Sequence, residues 1–104
     1  MKFSVLERLS LFPLLPEKGT FLNLKAIRKI REELSIDEDE MKEMEFEQFD
    51  DGRLRWDIKK DPNKEIEIPE SIKKIIVIKL KEMDESGELE DRHFTLYERF
   101  IENK

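Results

Sequence analysis

Apolar residues recur along this chain at the spacing of helices, and in its middle they alternate as in strands. Val5, Leu6, Leu9 and Phe12 fall on one helical face, with Ser4 and Glu7 placed to form a capping box and Pro13 to end the helix. Thr20, after the chain-breaking Gly19, predicts the start of a second helix through Leu24, Ile27, Ile30 and Leu34. Ser35 and Glu38 predict another capping box, opening a short acidic helix through Asp37, Glu40 and Met41. Behind Pro69, the residues Ile72, Ile75, Ile76, Leu80 and Met83 fit helical spacing up to Gly87. The β-branched run from Ile75 to Ile78 leaves a strand open at the same place. A last helix is predicted from about Asp91 through Phe94, Tyr97 and Ile101.

Between the acidic helix and Pro69 the pattern has period two. A two-residue turn at Asp51-Gly52 would put Glu45 and Glu47 on the apolar face of a hairpin. A three-residue loop, Asp50-Asp51-Gly52, with Gly52 left-handed, corrects this. It sets Met44 against Ile58, Phe46 against Trp56, Gln48 against Leu54 and Glu47 against Arg55. Asp61-Pro62-Asn63 reads as a second turn, and the alternation from Glu65 to Ile68 as a third strand. The expected fold is α+β: a three-stranded antiparallel meander over residues 44–49, 53–58 and 65–68, with the N-terminal and C-terminal helices packed on one face. One domain covers residues 1–104, and Phe12, Phe46, Trp56, Ile58 and Phe94 are expected in its core beside the aliphatic positions.

Composition narrows the chemistry. Charged residues make up 44% of the chain and hydrophobic ones 38%, so the core is thin and the surface heavily charged. With no cysteine there is no disulfide, thiolate nucleophile or Cys-based zinc site. Glu7, Arg8, Pro13 and Pro16 interrupt the apolar start, which argues against a signal peptide, and no apolar run approaches a membrane span. A cytoplasmic protein that makes no membrane contact is expected. All three glycines serve turns or helix ends, leaving none for a phosphate-binding loop, and no cofactor is expected. His93, the only histidine, reads as a surface or boundary residue. The run Asp37-Glu38-Asp39-Glu40 departs from a calcium loop at Met41 and Lys42, so no metal is expected.

The charges are sorted into blocks. Residues 1–34 carry seven bases to four acids, residues 35–52 one base to nine acids, residues 53–81 nine to five, and residues 82–104 three to eight. Such blocks create local fields that select partners. The leading expectation is a non-enzymatic protein-interaction module whose acidic patch, Asp37, Glu38, Asp39, Glu40 and Glu43, meets a host protein. A second reading is a winged-helix-like nucleic-acid binder using Lys25, Arg28, Lys29, Arg53 and Arg55, although the helix before the hairpin is the acidic one. A third is a minimal metal-dependent nuclease, in which strand alternation would put Asp57 and Lys59 on one face.

Two stretches carry a resemblance. One runs from Val5-Leu6-Glu7-Arg8-Leu9 through Leu14-Leu15-Pro16 to Leu24-Lys25-Ala26-Ile27-Arg28, the other from His93 through Phe94-Thr95-Leu96-Tyr97-Glu98-Arg99 to Phe100. They resemble an uncharacterised group of small acidic proteins carried by phages and prophages. The resemblance implies a viral setting, where such proteins act by disabling a host nucleic-acid-handling or defence factor, and it implies no catalytic residues.

Overall fold

Ser4 starts the first helix as its spacing requires. The Ser4 hydroxyl accepts from the Glu7 amide at 3.2 Å, and a Glu7 carboxylate oxygen accepts from the Ser4 amide at 3.0 Å. The computed structural model describes residues 1–61 and 63–102, so Pro62 of the second predicted turn lies outside the described residues. Helix α1 (Val5–Leu11) passes into a 3₁₀ turn at Phe12–Leu14. Thr20 caps α2 (Phe21–Leu34), accepting from the Asn23 amide at 3.1 Å. A short helix α3 (Glu38–Glu43) follows, then the long α4 (Glu70–Ser86) and α5 (Phe94–Tyr97). A 3₁₀ turn at Asp91–His93 precedes α5, and a wide π-helical turn at Glu98–Glu102 follows it.

Residues 72–80 are helical. Ile72, Ile76 and Leu80 are buried at four-residue spacing while Ile78 lies on the solvent side, so one stripe of the β-branched run does the packing. Gly87 ends α4 in the left-handed region at φ 72°. The main core gathers Phe3, Leu11, Ile27, Ile30, Leu34, Ile66, Ile68, Leu96 and this stripe.

The strands correct the predicted meander. Among the described residues they form two two-stranded antiparallel sheets. β2 (Glu47–Gln48) pairs with β3 (Leu54–Arg55) as the hairpin, in the predicted register, Glu47 opposite Arg55 and Gln48 opposite Leu54. β4 (Lys64–Glu65) pairs instead with β1 (Lys2–Phe3), Lys2 opposite Glu65 and Phe3 opposite Lys64. The reason lies at residues 57–61. There the Asp57 side chain accepts from the Lys59 amide and starts a 3₁₀ turn that ends the hairpin. Asp61 then accepts from the Val5 amide at 2.9 Å, bringing the next segment to the N-terminal strand. Ile66 and Ile68 still point inward and Glu65 and Glu67 outward, as alternation requires.

Three expected core residues are exposed: Phe12, Phe94 at 63% and Ile58 at 78%. Leu11 and Leu96, on the adjoining faces, fill the interior instead. Ile58 is turned out because its backbone is a 3₁₀ turn, where a strand would have set it beside Met44.

Candidate functional site

α3 and the hairpin form an arm, residues 37–60, that buries a single side chain, Met44, apart from the main core. Asp37 caps α3, accepting from the Glu40 amide at 2.8 Å, while Glu40 reaches back to the Asp37 amide. This corrects the box predicted from Ser35 and Glu38. Ser35 ends α2, its hydroxyl donating to the Arg31 carbonyl at 3.0 Å. Both candidate caps have a glutamate three residues on, and a long-range partner selects between them.

That partner is Arg8 of α1, fully buried. Its Nε donates to the Leu34 carbonyl at 3.2 Å and its Nη2 to the Ser35 carbonyl. The same guanidinium holds Glu40, Nη1 to Oε2 at 2.5 Å and Nη2 to Oε1 at 3.2 Å. The fork satisfies the end of α2 and the start of α3 with one planar group. The Arg8 hydrogen bond lowers the Glu40 pKa from its ordinary value of 4.5 against the opposing effect of burial.

The predicted acidic patch therefore divides. Asp37 and Glu40 are committed to the cap and the clamp, whereas Glu38, Asp39 and Glu43 are exposed and make no ion pair among the described residues. Met41 is exposed on the same helix, and Phe49, Leu54 and Ile58 are exposed on the hairpin and the turn after it. Within the arm the Phe46 and Trp56 rings stack, with centroids 5.7 Å apart and planes 11° apart.

The basic candidates stand on separate elements. Lys25, Arg28 and Lys29 lie exposed on α2 and form no ion pair among the described residues. Arg53 is tied to Asp51 at 2.6 Å and lies over the Phe49 ring at 5.5 Å, and Arg55 faces Glu47 across the hairpin. Asp57 and Lys59 sit in the 3₁₀ turn, so the strand alternation expected to align them does not hold there. Among the described residues no group of three or more His, Asp or Glu side chains is arranged to hold a metal ion.

Sequence reasoning missed Arg8 and misplaced His93. Arg8 sits in an apolar run, directly after Glu7, and only its burial reveals its role. His93 is buried, and its Nδ1 accepts from the Glu90 amide at 3.0 Å. Burial first, then the Arg92 charge, lowers its pKa from the ordinary 6.5, with Glu90 opposing. Among the described residues, no helix is long and apolar enough to cross a membrane. Compared with protein-family models, curated proteins and solved structures, the chain matches none.

Proposed function

We propose that this protein is a non-enzymatic interaction module, a phage accessory protein that uses α3 and the hairpin to capture a basic surface on a host nucleic-acid-handling or defence factor. One observation carries the reading. The free carboxylates Glu38, Asp39 and Glu43 share the arm with the exposed apolar side chains Met41, Phe49, Leu54 and Ile58. Neither set contributes to the protein's own core. Acids steer a basic partner at long range, and apolar side chains give it area to bury on contact.

The test follows from the division of the patch. Asp37 and Glu40 are left intact because they hold α3 in place, and Glu38, Asp39 and Glu43 are changed together to Lys. A partner captured from host lysate and identified by mass spectrometry should bind the reversed protein at least tenfold more weakly. Carbodiimide cross-links should join its lysines to those three carboxylates in the wild type. Unchanged affinity, or cross-links confined to other faces, would discard the reading.

A further inference from the structure

We propose that α2 carries a docking groove for the acidic helix α3 of a second copy of this chain. α2 packs inward through Ile27, Ile30 and Leu34. Its first two residues do the opposite: Phe21 is 83% exposed and Leu22 74%. Beside them runs a groove of about 660 Å³ with Phe21, Leu24 and Ile27 as its apolar lining, in which the cations Lys25, Arg28, Lys29 and Arg31 outnumber the acids Glu17 and Glu32. Exposed apolar side chains grouped beside unpaired cations on one helix face mark an interaction surface and are not explained by folding.

The occupant follows from complementarity within the chain itself. α3 offers Glu38, Asp39 and Glu43 next to exposed Met41. On α2 the exposed cations Lys25, Arg28 and Lys29 outnumber Glu32, and on α3 the exposed acids Glu38, Asp39 and Glu43 outnumber Lys42, so the two faces carry opposite net charge, each beside an exposed apolar contact. The two faces do not neutralise each other within one copy, because the Arg8–Glu40 clamp pins α3 against α1 and the end of α2. A nucleic-acid backbone fits less well, since its phosphates meet the cations but leave the apolar lining without a matching contact, whereas α3 brings Met41 with its acids. Where α2 of each copy meets α3 of the other the pair closes as a two-fold dimer, and where only one such contact forms per pair assembly continues past a dimer. It draws on the same acids as the partner site proposed above but needs no partner, and purified protein alone decides it.

Sedimentation equilibrium should give a mass above the monomer at about 20 mM salt and the monomer mass at about 500 mM, where screening shortens the reach of the charges. Changing Lys25, Arg28 and Lys29 together to Glu should leave a monomer at low salt. So should changing Glu38, Asp39 and Glu43 together to Lys. An equimolar mixture of the two reversed proteins should associate again, because each restores what the other lacks. All six positions are exposed, and an unchanged circular-dichroism spectrum and melting temperature in each variant confirm folding. A monomeric wild type at low salt, association that survives either reversal, or a mixture that stays monomeric overturns the proposal. In that event, binding of a labelled acidic peptide or oligonucleotide to Lys25, Arg28 and Lys29 assigns the groove to that ligand.

Discussion

The helical body and the arm are held by different physics. In the body, thirteen buried apolar side chains among the described residues, from β1, α1, α2, α4, α5 and the segments between them, share one cluster. In the arm the only buried side chain is Met44, which lies outside that cluster, and a polar group, the Arg8 fork with its glutamate and two carbonyls, ties the arm to the body. Apolar burial is non-directional and tolerant of small shifts, whereas a buried guanidinium needs all its acceptors in place. The body is therefore robust, and the arm is attached on condition that the clamp stays charged and closed.

Removing the clamp is the severest way to break this contrast. Arg8→Ala should cost about 3–5 kcal/mol in urea unfolding, the range for deleting one member of a buried ion pair. Trp56, the only tryptophan, lies in the arm and reports its detachment by fluorescence, while circular dichroism follows the helices of the body. Acid should act in the same direction. Because folding lowers the Glu40 pKa, the clamp contributes fully above about pH 4.5 and fades as pH falls through the lower folded value. Folding lowers the His93 pKa too, so its contribution is complete above about pH 6.5 and declines below it, in the body. On acid titration the circular-dichroism melting temperature should begin to drop before the Trp56 signal changes at fixed low temperature.

Core truncations sharpen the contrast. Ile76→Ala and Met44→Ala each remove a fully buried side chain, at roughly 2–5 kcal/mol by precedent. Ile76→Ala should move both probes together, since the arm has nothing to hold without the body. Met44→Ala should shift the Trp56 transition to lower urea and leave most of the helical transition where it was. Coincident transitions in the Met44 variant would mean that arm and body unfold as one unit. The mildest pair is Gly52→Ala and Gly87→Ala, at φ 88° and 72° with open space around each added methyl. Each should cost about 1–2 kcal/mol from backbone conformation alone. The first should register in Trp56 fluorescence and the second in the melting temperature of the helices.

Local chemistry made much of this legible from the sequence, and long-range pairing hid the rest. Ser4 with Glu7, Thr20 and Gly87 announce helix ends because caps act within three or four residues. The hairpin register was readable because only one loop length keeps Glu47 off the apolar side. The partner of β4 was not, since nothing in the alternation of residues 65–68 distinguishes pairing with residues 53–58 from pairing with Lys2 and Phe3. The inward face of the last helix turned on one residue, with Phe94 the larger side chain and Leu96 the buried one. Of the five acids grouped as a patch, Glu38, Asp39 and Glu43 are exposed and unpaired among the described residues. Its two structural members were indistinguishable until Arg8 was seen to select Glu40.

Glu7 carries a further consequence through its far partner. Its carboxylate sits almost out of solvent and takes both oxygens to Arg99 at 3.0 Å, across 92 residues of sequence, while that guanidinium lies over the Phe3 ring at 4.9 Å. On a translating ribosome at about 5–20 residues per second, Glu7 waits roughly 5–18 s for Arg99 to be made. For that interval the first helix has its cap but not its counter-ion, and Phe3 lacks the cation that covers it. Closure of this fold is a late event in its synthesis, and a nascent chain stalled before Arg99 exposes Phe3 and an unmatched Glu7 to whatever chaperone or protease is near.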